Sequence, residues 1–332
     1  MRPLLLPIFS FIAITALCSL ALTGCKKFAD IPAVIETYTP DSIIQAQPNN
    51  GKVLLISIDG LKGDYLSANL PPNVSNVLAH SKYMFVPHPG SYFPINNTSS
   101  WGSMLTGNSE TRLWDSSFFA VPDTTLYVPV PPNLSVARYI KNYDHELLVA
   151  AISPWQSLVN NLLSDADKKR VTTGDDETKI ETVNSLATDN AVLTVVQFTG
   201  VQKAGLQNGF GSAAYKAALQ QVDVYIGEIM AALEGRQNYA NERWLTLITT
   251  AQVRYPRMTA LNYLASGQYI PEFTIAHSKN FTRQNMNELR PPLYIKREDM
   301  TANILYWLKI TNAIGIRNSV PWLNNFELEA QQ

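Results

Sequence analysis

Val53-Leu54-Leu55-Ile56-Ser57-Ile58, closed by Asp59-Gly60, is an almost unbroken apolar run with an acid and a glycine at its end. A run of this length that does not alternate with polar residues predicts a strand buried on both faces. Runs of the same kind recur at Leu147 to Ile152, Val192 to Phe198 and Trp244 to Thr249, each followed by a loop and then by helical sequence. Leu219, Val222, Ile226, Ile229, Met230 and Leu233 have helical spacing, as do Met300, Ile304, Leu305 and Leu308 behind Asp299, a candidate cap. Strands alternating with helices predict an α/β fold, a mostly parallel central sheet with helices on both faces. In such sheets the functional groups sit on loops at the carboxyl ends of the strands, which singles out Asp59, the 199–206 loop and the 250–253 loop. There is no internal repeat and no second domain, and the Pro-rich segment from Val121 to Pro132 reads as an insertion loop within a domain spanning residues 52–332.

Upstream of that domain, Arg2 precedes an apolar run from Leu4 to Leu22 that closes on Leu22-Thr23-Gly24-Cys25. Residues 1–24 have the layout of a secretion signal. The small residues before Cys25 resemble the lipobox at which bacterial lipoproteins receive diacylglycerol and are cleaved. A plain secretory signal or a spanning helix is the other reading, because the run is close to spanning length. The lipobox resemblance implies palmitate-type lipid on Cys25 and a membrane-anchored lipoprotein of a Gram-negative bacterium. Lys26 after the cysteine favours the outer membrane, facing either the periplasm or the cell surface. Residues 25–51, with Pro32, Pro40, Pro48 and Asn49-Asn50-Gly51, lack periodicity and read as a tether. The chain has 2 cysteines, and Cys18 would leave with the signal while Cys25 carries lipid, so stability has to come from a packed core. Composition allows one, with 46% hydrophobic residues. A net charge of -1 without a basic run argues against nucleic acid as a partner.

Three segments, taken together, resemble the alkaline phosphatase superfamily, in particular its nucleotide pyrophosphatase/phosphodiesterase and sulfatase-like branches. The first is Leu54 to Leu61, followed by Tyr65-Leu66 and Pro72-Asn73-Val74, similar to the opening strand whose terminal Asp binds metal. The second runs from Phe93-Pro94 to Leu105-Thr106-Gly107, similar to the nucleophile segment. The third extends from Val192 through Gly209-Phe210-Gly211 to Thr249-Thr250, the region that holds the remaining ligands in the family. The resemblance implies two metal ions, usually zinc, held by three Asp and three His around a Thr, Ser or modified Cys nucleophile. A pair of dications polarises the phosphoryl oxygens and lowers the pKa of the nucleophile, and carboxylates and imidazoles balance their charge.

Carried onto this sequence, most of that ligand set is replaced. Where the family has Asp-x-x-Gly-His, this chain has Gln202-Lys203-Ala204-Gly205-Leu206, and where the family has Ser-Asp-His-Gly it has Thr250-Ala251-Gln252-Val253. Gln202, Leu206, Ala251 and Gln252 thus stand at four ligand positions, and Asp59 is the ligand that clearly remains. His277 lies out of register for the last ligand and reads as an ordinary strand-end histidine, and His80, His88 and His145 have no Asp at metal-site spacing. The nucleophile position falls on Asn97 in the phosphodiesterase register and on Thr98 in the sulfatase register. An amide cannot attack phosphorus, and a threonine hydroxyl without metals stays inert. Facing carboxylates repel one another unless cations lie among them, so neutral replacements suit a site that has given up metal.

These readings lead to an expected function: a membrane-anchored lipoprotein with a phosphodiesterase/sulfatase-like fold that has lost hydrolysis, needs no cofactor, and binds or scaffolds. An active hydrolase using Asp59, Thr98 and two zinc ions is one alternative. A glycan-capturing lipoprotein with stacking aromatics among Tyr92, Trp101, Trp114 and Trp155 is the other, those aromatics reading otherwise as core. The expected partners are the membrane, through the lipid, and a glycan or phosphate-containing ligand.

Overall fold

The run around Leu54 forms β1 (Gly51–Ile58), a strand buried at every residue. In the computed structural model residues 49–332 form one compact unit. The structure describes residues 50–85, 97–108, 134–251, 272–310 and 319–330, with the side chains of residues 97–99 and 330 left aside. Cys25, the signal and tether segments before residue 50, and the Val121 to Pro132 loop lie outside the described residues.

β1 is central in an eight-stranded sheet of order β4-β3-β5-β1-β6-β7-β2-β8. The other strands are β2 (Ser81–Met84), β3 (Val149–Ser153), β4 (Lys168–Val171), β5 (Leu193–Phe198), β6 (Arg243–Thr249), β7 (Thr274–His277) and β8 (Gln284–Asn285). β1 pairs in parallel with β5 and β6, and β3 pairs in parallel with β4 and β5. β7 runs antiparallel to both β6 and β2. The fold is therefore α/β with a mostly parallel sheet, and the four apolar runs are β1, β3, β5 and β6. β2, β4 and β8 escaped the periodicity because they are short and polar: Ser81-Lys82 opens β2, while β4 carries Lys168, Lys169 and Arg170 on the sheet edge. Charges on an edge strand discourage pairing with another chain.

Alternation along β1 feeds two cores. Val53 and Leu55 enter one cluster with α3 (Asn97–Thr106), α4 (Val136–Tyr143) and α8 (Asp299–Trp307). Leu54, Ile56 and Ile58 enter the other, with α1 (Gly63–Ala68), α2 (Pro72–Leu78), α5 (Asp175–Thr188), α6 (Gly200–Asn208) and α7 (Ala213–Glu234). Each fully buried Leu or Ile contributes about 1.5–3 kcal/mol relative to exposure. α7 extends the Leu219 to Leu233 pattern over 22 residues. Its buried Asp223 reaches across to accept the Asn73 and Val74 N–H groups at 3.1 and 2.8 Å, which satisfies the start of α2 behind Pro72.

Asp299 differs from expectation. It is the first residue of α8 and its carboxylate accepts from Lys296 N and Val320 N at 2.8 Å each, so it ties a distant segment down instead of capping its own helix. A C-terminal element completes the fold: a turn of 3₁₀ helix (Trp322–Phe326) leads into α9 (Glu327–Ala330).

Candidate functional site

Register places the carboxyl ends of β1, β5 and β6 side by side, with Ser57 opposite both Gln197 and Thr249. Asp59 follows β1 and is wholly buried. The turn after it needs glycine, since Gly60 has φ +81° and a Cβ there would lie 2.4 Å from Gln202 Cα. Tyr215 of α7 fixes the same turn, its hydroxyl donating to Gly60 O at 2.8 Å and accepting from Lys62 N at 3.1 Å. On the neighbouring loop, Asp175 accepts from Thr199 N at 2.9 Å and Gly200 N at 2.8 Å, holding the start of α6.

Three side-chain donors meet the Asp59 carboxylate. Ser57 Oγ donates to Oδ1 at 2.7 Å, and Gln197 Nε2 and Trp101 Nε1 donate to Oδ2 at 2.6 and 3.2 Å. The Ala251 N–H donates to Ser57 Oγ at 2.9 Å, beside the carboxylate, and favours its charged form. Burial pushes the Asp59 carboxyl above the usual aspartate range, and these hydrogen bonds oppose that rise. The Gln197 amide is oriented by a relay. Trp155 N donates to Ser153 Oγ at 2.8 Å, so the Ser153 hydroxyl proton goes to Gln197 Oε1 and leaves the NH₂ group facing Asp59.

The structure brings Asp59, Gln202 and Ala251 together. Gln202 is buried beneath Gly60, and Ala251 is buried with its N–H on the Asp59–Ser57 pair. Leu206 lies one turn further along α6 and is 39% exposed. Gly205 keeps its place for packing, because a Cβ there would come within 2.6 Å of the Phe210 ring. Asn97 and Thr98 begin α3, the helix that delivers Trp101 to Asp59. Gln252 lies outside the described residues, as do Tyr92 and Trp114. Trp101 is not a surface platform: it is fully buried and uses its indole N–H on Asp59, while Trp155 packs against the core. His277 pairs with Thr246, three positions before Thr249 and thus away from Asp59, and its Nδ1 lies 3.0 Å from Val77 O.

Sequence reasoning passed over Gln197, Ser153, Arg297 and Glu272. The available signal was polarity inside buried strands, as in Val196-Gln197-Phe198. Arg297 stands two residues before α8 and is 7% exposed. Its Nη2 forms an ion pair with Glu272 Oε1, while neither Nε nor Nη2 makes a hydrogen bond. The Glu298 and Asp59 carboxylates act on it through space in favour of the charged form, against burial, which pushes the guanidinium down to about 10.

These residues do not fit a pair of dications. Asp59 has donors on both oxygens, and Gln202 and Ala251 carry neither carboxylate nor imidazole. Among the described residues no group of three or more His, Cys, Asp or Glu is placed to hold an ion. Residues 252–271, between β6 and β7, contain none of these four residue types.

No protein-family profile matches the chain, and no curated protein matches it in sequence. Solved structures do match its fold. A protein of the alkaline phosphatase superfamily from Vibrio parahaemolyticus superposes with a TM-score of 0.57 at 8% identity, covering 82% of this chain and 69% of that one. Murine ectonucleotide pyrophosphatase/phosphodiesterase 5 gives 0.53 at 12% identity, covering 82% and 98%, and a 2-O GAG sulfatase gives 0.56 at 11%, covering 80% and 72%. The domain thus has the alkaline-phosphatase-like fold shared by sulfatases and phosphodiesterases. At these identities the likeness concerns the fold alone.

Proposed function

We propose that this chain is a lipoprotein, anchored in the outer membrane of a Gram-negative bacterium through Cys25, whose alkaline-phosphatase-like domain has given up metal-dependent hydrolysis and acts in binding or scaffolding. The single observation that carries the reading is the state of Asp59. Both oxygens of the carboxylate that the family uses on metal are engaged by protein donors, from Ser57, Gln197 and Trp101. A dication would have to displace those donors and would find no second carboxylate or imidazole at Gln202 or Ala251. The donors do for Asp59 what coordination does elsewhere, at no cost in ligand charge. The ligand we propose is a glycan or a phosphate-containing molecule, on the ground that the fold is shared with a 2-O GAG sulfatase and a nucleotide pyrophosphatase/phosphodiesterase.

Purified mature protein, assayed with nitrophenyl phosphodiester, phosphomonoester and sulfate with added zinc, is expected to show no turnover above a heat-denatured control. Zinc-dependent turnover that disappears in Asp59→Ala would establish the alternative, an active hydrolase. For the anchor, labelled palmitate is expected to enter the wild type and not Cys25→Ala. Label retained by Cys25→Ala would refute lipidation at that residue. Glycan-array binding by the isolated domain addresses the ligand class.

A further inference from the structure

Away from the Asp59 cleft, β2 and the segment leading into β8 build a grip for one carboxylate. The Lys82 side chain is wholly buried, its ammonium 5.7 and 4.7 Å from the centres of the Phe281 and Phe326 rings. It donates to Thr282 Oγ1 at 3.0 Å, which leaves the threonine hydroxyl proton for a carboxylate oxygen at 3.1 Å. The Thr282 N–H donates to that same oxygen at 2.7 Å, and the Lys82 ammonium donates to the other at 2.9 Å. Three donors thus hold both oxygens of one carboxylate, and an ammonium this deeply buried needs an anion beside it.

The carboxylate in that grip belongs to Glu329 on the four-residue α9. Its side chain keeps 30% of its surface exposed, and the neighbouring Leu328 is 83% exposed, so α9 delivers an acid to the site and leaves its apolar residue in solvent. Thr282 also lines a cavity of about 640 Å³ together with Tyr83, Arg283, Gln284, Asn285 and Glu288. Two amides, a guanidinium, a carboxylate and a phenol around that space suit a hydroxylated ligand better than an apolar side chain.

We infer that Lys82 and Thr282 form a binding site for the carboxylate of an acidic saccharide, a uronate whose hydroxyls enter the neighbouring cavity, and that Glu329 occupies the site in cis until such a ligand displaces it. This gives the glycan reading of the binding role proposed above a place of its own. It is independent of the fate of the Asp59 cleft, since β2 stands three strands from β1 in the sheet. Because Glu329 competes, the affinity for an external carboxylate is reduced by the fraction of molecules in which the site is open.

The test is calorimetric titration of mature protein with digalacturonate at pH 7 and fixed ionic strength, with lactose as the neutral control. Glu329→Ala vacates the site and is expected to bind digalacturonate at least about tenfold more tightly than the wild type, with no binding of lactose by either. Lys82→Met/Glu329→Ala removes the ammonium together with its partner and is expected to lose that gain. Thr282→Val keeps the Lys82–Glu329 pair, and its affinity is expected to fall about fivefold below the wild type, which decides the matter if Glu329→Ala fails to fold. A folded Glu329→Ala protein that binds no more tightly than the wild type, equal affinities in Glu329→Ala and the double variant, or no heat of binding in any of these proteins overturns the site. Tighter binding of the peptide acetyl-Leu-Glu-Ala-amide than of digalacturonate by Glu329→Ala overturns the saccharide as its ligand. Glycan-array binding confined to neutral sugars overturns the site and leaves the wider binding role intact.

Discussion

Gln197 shows how one side chain can settle the state of another. Its amide is the closest donor to Asp59, and it is aimed there by Ser153, whose hydroxyl is committed by Trp155 N. Gln197→Ala removes a donor from a buried carboxylate and an acceptor from a buried hydroxyl, and is expected to cost roughly 3 kcal/mol in urea unfolding, with no cavity-filling substitution able to restore it. Gln197→Leu is expected to do no better. Gly60 is constrained by conformation and by space: φ of +81° and the Gln202 backbone 2.4 Å from a would-be Cβ. Gly60→Ala is expected to destabilise by about 2 kcal/mol or more in the same measurement, whereas Gly209→Ala, at φ +95° with open space around the site, is expected to cost less. The acid and glycine after β1 were legible in the sequence as the turn that ends the strand. The partners of the acid were not, because Gln197 and Trp101 are 138 and 42 residues away and nothing local marks them as its neighbours.

At the level of elements, α8 depends on a carboxylate doing an unusual job. Asp299 accepts from Lys296 N before the helix and from Val320 N after it, and burial pushes its carboxyl up to about 6. The folded pKa lies above the unfolded one, so the folded state holds the proton more tightly. The corresponding stability is complete below about pH 4, the usual aspartate value, and is lost as pH rises through about 6. Wild-type Tm between pH 4 and pH 7 is therefore expected to carry a downward contribution from this group. Asp299→Asn is expected to flatten that part of the profile while lowering Tm at pH 4 through the lost acceptor. An unchanged slope in Asp299→Asn would show that the group does not titrate in this window. The helical spacing from Met300 to Leu308 announced this helix correctly, and its start was read as a cap. The reason for the difference is tertiary: the 319–320 segment supplies a donor that sequence neighbours do not.

Across the whole molecule, the C-terminal segment closes over the sheet by a half-buried ion pair. Lys82 on β2 has no exposed surface, and its ammonium donates to Glu329 Oε1 at 2.9 Å and Thr282 Oγ1 at 3.0 Å between the Phe281 and Phe326 rings. Lys82 holds the Glu329 carboxyl below the usual glutamate range, so the contribution of this clasp is complete above that range and fades as pH falls through the lowered value. Glu329→Gln is expected to destabilise by roughly 2 kcal/mol at pH 7 and by less at pH 4, and Lys82→Met in that background to recover part of the loss. Equal losses at both pH values would show that the pair contributes packing and not charge. The chain by itself determined the α/β class and the strands β1, β3, β5 and β6 of the mostly parallel sheet, because apolar runs are local properties that survive without coordinates. Only the tertiary structure decided which donors occupy Asp59, that Trp101 is interior, and that Arg297 pairs with Glu272. Those facts depend on loops from distant strands meeting at one end of a sheet, where burial multiplies the strength of every charge and hydrogen bond.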